Sequence, residues 1–128
     1  MIRRRLTILI CAAVVCLPPA IAFAVAGSSA GTSCEKRPDW AAWRRGIEEK
    51  TPTTRQRIAD QIIACHSLDK HTKRYVRARL GRPELGYRYP NHWRWITGPS
   101  RGVPIDNETL LVVFARGHVS HVELENGG

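Results

Sequence analysis

The stretch 68–84 (LDKHTKRYVRARLGRPE) constrains the fold of this 128-residue chain more than any other. Thr72 is a favourable N-cap residue, and Gly81 suits the left-handed position that follows many helices. Pro83 then prevents the helix from continuing. Val76 and Leu80 lie four positions apart, on one face of the helix that this stretch would form. The pattern therefore predicts a short helix over about 73–80 that packs against the residues following it.

Two further helical patterns precede this one. Asp39 is a candidate N-cap for a helix over about 40–49. Its apolar stripe is formed by Trp40, Trp43 and Ile47. Thr54 is a candidate N-cap for a helix over about 55–66, whose apolar face contains Ile58, Ile62 and Cys65. The opposite face, which we expect to meet water, carries Arg55, Arg57, Asp60 and Gln61.

Three runs after Pro83 predict β-strands: the end of the aromatic segment 87–97, and the apolar runs at about 109–115 and 118–124. The first alternates, since Trp93 and Trp95 share one face and Arg94 lies on the other. The second run (TLLVVFA) is uncharged and rich in β-branched residues. Val119 is out of phase with the apolar residues after it, so we expect a β-bulge there.

Helices followed by three adjacent strands predict an α+β fold, with the helices packed on one face of a three-stranded antiparallel meander. This order does not match a βαβ plan. The residues expected to form the core are Trp43, Ile58, Ile62, Val76, Leu80, Trp95, Leu111, Val113, Val122 and Leu124.

Residues 1–26 have the pattern of a secretory signal peptide. The positive n-region, apolar h-region and A-x-A end are residues 1–5, 6–17 and 24–26. The alternative is an uncleaved N-terminal membrane anchor, because residues 6–26 carry no charge and are long enough to span a bilayer. The rest of the chain divides into a flexible leader at 27–38, a single domain at 39–125 and a tail at 126–128.

Cys34 and Cys65 are the only cysteines outside the predicted signal peptide. Two thiols in an oxidising compartment have one intramolecular pairing, so a disulfide between them is expected. The loop that it closes, about 32 residues, corresponds to a chain-entropy stabilisation of ~3.7 kcal/mol. The alternative is lipidation of Cys34, although the preceding Gly31-Thr32-Ser33 lacks the leucine expected of a lipoprotein signal.

Cations outnumber acidic residues, with 20 Lys and Arg against 11 Asp and Glu and a formal net charge of +9. Removing three arginines with the leader leaves a net charge of about +6. Such an exported domain would favour an envelope protein partner with an acidic surface, anionic lipid or an acidic cell-wall polymer. Nucleic acid is not expected, because no nucleic-acid-binding motif accompanies the charge. The third helix and its flanks have a cationic exterior, which an ordinary solvated helix face explains equally well. Its residues are Lys70, Lys73, Arg74, Arg77, Arg79 and Arg82.

Three features of the chain occur together in a known type of domain. They are a helix ending Leu80-Gly81-Arg82-Pro83, an aromatic strand, and the apolar run 110–114 with Arg116-Gly117 after it. In this combination the chain resembles the SmpA/OmlA-type domain of small outer-membrane-assembly lipoproteins. The chain is also similar to small bacterial envelope proteins with a T-x-x-x-V-x-x-x-L-G-x-P helix and a G-P-x-R-G-x-x-I-D-x-E loop, matched here at 98–108. The resemblance covers about 68–124. It implies a non-catalytic accessory role in the envelope, through contacts with partner proteins and anionic lipid. The chain departs from it in lacking a lipobox and in having Lys70-His71 where a glycine is common.

The candidate contact surface is a basic and aromatic segment, in which rings and cations alternate over 87–101. The residues assigned to partner binding are Arg88, Trp93, Arg94 and Arg101. The alternative interpretation places Trp93 and Trp95 in the core and leaves Arg88 and Arg94 as solvated cations.

No catalytic residue, cofactor or metal site is predicted, so we expect a non-catalytic scaffold domain. His118 and His121 are three apart in a strand and should leave opposite faces. One alternative is a small envelope hydrolase that uses Asp106 and Glu108 as an acid/base pair, although such residues more often bond nearby amides or pair with Arg101. Another alternative is a proteinaceous inhibitor of a secreted enzyme, acting through an aromatic sheet face.

Overall fold

A computed structural model describes residues 33–85, 89–103 and 105–127 of the chain. The predictions for residues 1–26 and for Arg88 fall outside these ranges. Three helices precede three strands: α1 (Trp40–Arg44), α2 (Thr54–Ala64), α3 (Lys73–Leu80), β1 (His92–Pro99), β2 (Asn107–Ala115) and β3 (His118–Asn126). The strands form one antiparallel sheet in the order β1-β2-β3, which confirms the predicted α+β class. β3 extends one residue into the segment predicted as a tail.

The prediction for α3 is confirmed at both ends. Thr72 is its N-cap, with Oγ1 accepting a hydrogen bond from the backbone of Tyr75 at 3.2 Å, and Gly81 has a positive φ of 81°. The prediction for α1 is wrong in length, since the helix ends at Arg44. Gly46 has a φ of 104°, which only glycine adopts readily, and the chain leaves the helical path there. Ile47 is consequently 45% exposed rather than part of the apolar stripe.

One face of the sheet packs on the helices, as predicted. The buried cluster joins Trp43 of α1 and Ile62 of α2 to Val76 and Leu80 of α3 and to Trp95 of β1. The expected bulge is also confirmed, because Val113 pairs with His121 whereas the next residue of β2 pairs with Val119.

The predicted phase of β2 is wrong. The residues that enter the helix-facing core are Leu110, Val112 and Phe114. Leu111 and Val113 therefore leave the opposite face of the sheet, where Leu111 is still buried and Val113 is half-buried. A run with no polar residue cannot show which alternate positions face inward.

The segment 33–38, predicted as part of a flexible leader, is bonded to α2. The expected Cys34–Cys65 disulfide is present, with a Cα–Cα distance of 5.4 Å. It occupies the sulfur that lipidation of Cys34 would require. Gln61 adds a hydrogen bond from Nε2 to the carbonyl of Lys36 at 2.8 Å. Two independent contacts therefore bind this segment to the domain.

The N-terminus of α2 docks on the end of β1. Thr53 and Gln56 form a capping box, and both side chains are fully buried. Gln56 Nε2 also donates to the carbonyl of Pro99 at 2.7 Å, and Thr53 Oγ1 donates to the carbonyl of Thr97. This close approach depends on Gly98, where an added Cβ would lie 2.7 Å from Thr53 Cγ2.

Replacing Gly98 by alanine is expected to lower the free energy of unfolding by about 1–3 kcal/mol, because the new methyl group would push α2 from β1. Urea denaturation of the two proteins measures the difference. Gly102→Ala is the matched control, because a Cβ there meets nothing within 4 Å and should change stability by less than about 0.5 kcal/mol. Equal effects of the two substitutions would contradict the packing argument.

Candidate anion-binding surface

Helix α3 has one buried side and two flanks that border concave surfaces. Val76 and Leu80 face the core, and the indole Nε1 of Trp43 donates to the carbonyl of Leu80 at 3.1 Å. At about 100° per residue, Arg77 lies on one flank of this buried side and Arg79 on the other. The packing of α3 therefore directs its cations outward and to both sides.

The charge on this surface is not neutralised within the domain. Six cations lie on α3 and its flanks: Lys70, Lys73, Arg74, Arg77, Arg79 and Arg82. Across the described ranges, none of them is within 4.0 Å of a carboxylate oxygen. The neighbouring acids are engaged elsewhere, Asp69 with His66 at 3.0 Å and Glu84 with Arg55 at 2.6 Å. The surface therefore carries a concentrated positive field.

One flank of α3 borders a groove of about 240 Å³. Arg77 and Arg82 line it together with Leu85, Tyr89 and Trp93. Tyr89 is 59% exposed and Trp93 is half-buried, so aromatic surface is accessible beside two guanidinium groups. Exposed rings and arginines are the side chains that dominate recognition surfaces.

Trp93 and Arg94, which were both predicted to contact a partner, lie on opposite faces of the sheet. Trp93 packs towards the helices, with its ring 4.8 Å from Phe114 and 5.7 Å from Lys73 Nζ. Arg94 leaves the opposite face of β1 and binds Glu125, with Nε 2.7 Å from Oε2. This hydrogen bond and the charge of Glu125 raise the pKa of Arg94 above its ordinary value.

Arg101 lies beyond the far end of β1 from Trp93 and binds two carboxylates. Its guanidinium donates to both oxygens of Asp60, at 2.8 and 2.9 Å, and to both oxygens of Glu108, at 2.8 and 2.9 Å. The hydrogen bonds to Asp60 and then to Glu108 raise its pKa well above the ordinary range. Trp93, Arg94 and Arg101 thus lie at three separate places, and a contact role for each of them stays a prediction, as it does for Arg88.

Asp106 and Glu108, the alternative catalytic pair, differ sharply in environment. Glu108 is 3% exposed and accepts hydrogen bonds from Arg101 and from Thr97 Oγ1 at 3.0 Å. Asp106 is exposed in the loop that precedes β2. The contacts of Glu108 connect β2 to Thr97 of β1 and to Arg101 of the 100–106 loop, which supports a structural role for its carboxylate.

The histidines of the described part do not gather with other ligand side chains. Within 33–85, 89–103 and 105–127, no group of three or more His, Cys, Asp or Glu residues could hold a metal ion. His71 stacks on Tyr75, and His121 bonds Glu123 at 2.7 Å. Over the same ranges, no helix has the length and apolarity needed to cross a membrane.

Comparison with protein-family models, curated proteins and solved structures found no match for this chain. The SmpA/OmlA resemblance therefore stays a prediction based on motifs. The cationic run of α3 was visible in the sequence, but its lack of acidic partners was not. That property depends on where Asp60, Glu84 and Glu108 bond, and each of them bonds an arginine outside α3.

Proposed function

We propose that this protein is a non-catalytic accessory domain exported to the cell envelope, where it binds an anionic surface through the exterior of α3. The observation that carries the proposal is the set of six cations on α3 and its flanks without a carboxylate partner in the described ranges. Arg55, Arg94 and Arg101, by contrast, each bind a carboxylate. Of the six, Lys73 donates to the carbonyl of Pro90 and to Asn91 Oδ1, at 3.0 Å each, so its charge is hydrogen-bonded but not neutralised. Unpaired cations on a single helix instead favour an external counter-charge.

Three further observations support this proposal. The Cys34–Cys65 disulfide is compatible with an oxidising compartment outside the cytoplasm. The groove beside Trp93 adds exposed aromatic surface next to Arg77 and Arg82, which suits the interfacial region of a lipid headgroup layer or an acidic protein. The motif resemblance to envelope-assembly lipoproteins is consistent with an accessory role of this kind.

Replacing Arg74 and Arg77 together by glutamine is expected to weaken binding to anionic vesicles about 30-fold, because each basic residue near such a surface contributes about 1 kcal/mol. The measurement is co-sedimentation of the protein, expressed from the full-length chain, with phosphatidylglycerol–phosphatidylcholine vesicles. The matched control is Arg45→Gln with Arg116→Gln, which removes the same charge from exposed positions outside α3. We expect it to change binding less than about threefold.

Equal losses for the two double variants would show that net charge rather than α3 is responsible, and would contradict the proposal.

Cross-linking of the tagged chain in its host then tests which anionic component is bound. Capture of envelope-assembly or cell-wall proteins that is lost with Arg74→Gln and Arg77→Gln supports an acidic protein partner. Capture of one secreted enzyme at one-to-one stoichiometry, unaffected by this double variant, supports the inhibitor alternative instead.

A further inference from the structure

A second concave surface lies on the other flank of α3, beside the disulfide. It is a pocket of about 450 Å³ between α3 and the segment that precedes α1. Its walls include Lys36, Arg37, Trp40, His71, Tyr75 and Arg79. Sites for small ligands typically have volumes of about 300–1,000 Å³, so this pocket suits one sugar-sized or headgroup-sized molecule.

The lining of this pocket is positively charged. Lys36, Arg37 and Arg79 line it, and no Asp or Glu is among its lining residues. None of the three cations forms an ion pair with any residue that the structure describes. Three cations around one cavity favour a ligand with two negative charges over one with a single charge.

Arg79 lies at one end of a column of stacked side chains. The rings of His71 and Tyr75 are 3.7 Å apart with planes 9° from parallel, and Arg79 Cζ lies 4.8 Å from the Tyr75 ring. The spacing of four residues places the three groups in line along α3. Arg79 Nε is buried and has no acceptor within the described part of the chain. A guanidinium held in this way can meet two oxygens of one anion after a small rotation.

We propose that this pocket is a binding site for a phosphate monoester. The phosphate would lie against Arg79 with Lys36 and Arg37 on the opposite wall, and the body of the ligand would contact Trp40. Aromatic rings pack well against the apolar faces of sugars and glycerol. This site shares Arg79 with the vesicle-binding surface proposed above, but Arg74 and Arg77, on which the vesicle test depends, do not line the pocket. Either proposal can therefore fail while the other stands.

The test is calorimetric titration of the protein, expressed from the full-length chain, with glucose 6-phosphate at constant ionic strength. We expect saturable one-to-one binding, at least tenfold weaker binding of glucuronate, and none of glucose.

Arg79→Gln should weaken the binding of glucose 6-phosphate at least tenfold, because it removes a charge-assisted pair of hydrogen bonds. Arg45→Gln, which removes an exposed cation that belongs to neither proposed site, should change it less than about twofold. Lys36→Gln is the second variant, because the exposed Lys36 side chain has no folding role that would confuse the result.

Absence of saturation by 10 mM ester, on the order of the weakest affinities that remain specific, would overturn the proposal. Equal effects of Arg79→Gln and Arg45→Gln would do the same, as would equal binding of glucuronate and the phosphate ester. Competition by phosphatidic acid vesicles identifies the source of the phosphate. Displacement of the soluble ester by these vesicles assigns a lipid headgroup, and binding of the soluble ester without displacement assigns a soluble sugar phosphate.

Discussion

Replacing Arg55 by methionine is expected to lower the free energy of unfolding by about 3–5 kcal/mol. The Arg55 side chain is 10% exposed and connects three parts of the fold. Its Nε donates to the carbonyl of Trp43 at 2.9 Å, while Nη1 donates to Glu84 at 2.6 Å and to the carbonyl of Ile96 at 2.9 Å. The guanidinium also lies 5.1 Å from the Trp43 ring centroid. Methionine fills similar space but leaves a carboxylate and two carbonyl groups without their donor.

Thermal and urea denaturation measure this loss, which corresponds to a decrease in Tm of at least roughly 12 °C for a domain of this size. Arg57→Met is the matched control, because Arg57 lies on the exposed side of the same helix and its side chain bonds only Thr54 among the described residues. It should change stability by less than about 0.5 kcal/mol. Glu84→Gln combined with Arg55→Met should cost less than the sum of the two single changes, because the charge that Arg55 neutralises is gone. A loss of under about 1 kcal/mol for Arg55→Met would contradict this account.

The sequence predicted Arg55 to be exposed, and the reason for the error is instructive. Helical periodicity places Arg55 on the side of Ile58 and Ile62, at i+3 and i+7 from it, so Arg55 was assigned to the solvated face because of its charge and against its position. Its partners, Glu84 and Ile96, are 29 and 41 residues away along the chain. No pattern within one helix can show that such distant groups will surround a polar side chain.

Local chemistry predicted the ends of α3 correctly, whereas the N-cap of α2 is Thr53 and not the predicted Thr54. The ends of α3 follow from the capping side chain of Thr72 and the positive φ of Gly81, both of which act within a few residues. The bulge in β3 follows from the phase of Val119 against its own strand. The length of α1 was missed although Gly46 is visible in the sequence, because an isolated glycine is tolerated in many helices.

The sequence likewise predicts one of the two candidate binding surfaces and not the other. The cations of α3 and its flanks all lie within residues 70–82, so the cationic surface of this helix could be predicted. The pocket could not, because it forms only where the disulfide brings Lys36 and Arg37 against Arg79, about 40 residues later. The predicted contact residues Arg94 and Arg101 were chosen for charge and proximity to aromatic rings, whereas the structure gives each of them a carboxylate partner.

The second large effect concerns the disulfide. Replacing Cys34 and Cys65 together by serine is expected to lower the free energy of unfolding by about 3.7 kcal/mol, because the unfolded chain regains the freedom of a closed loop of about 32 residues. The native contacts of this region do not depend entirely on the bond, since Gln61 still donates to the carbonyl of Lys36. The loss should therefore arise mainly in the unfolded state, and the folded protein should keep its helix and strand content by circular dichroism.

The matched control is Ser67→Ala, which changes a small polar side chain beside the bond and leaves the disulfide intact. This variant should match the parent protein in urea denaturation, whereas a loss equal to that of the Cys34/Cys65 variant would contradict the assignment. Dithiothreitol should destabilise the parent and leave the Cys34/Cys65 variant unchanged.

The Cys34/Cys65 variant also distinguishes the two binding sites, because the disulfide lines the phosphate pocket but not the groove beside Trp93. Glucose 6-phosphate binding should weaken in it, while binding to anionic vesicles through Arg74 and Arg77 should persist.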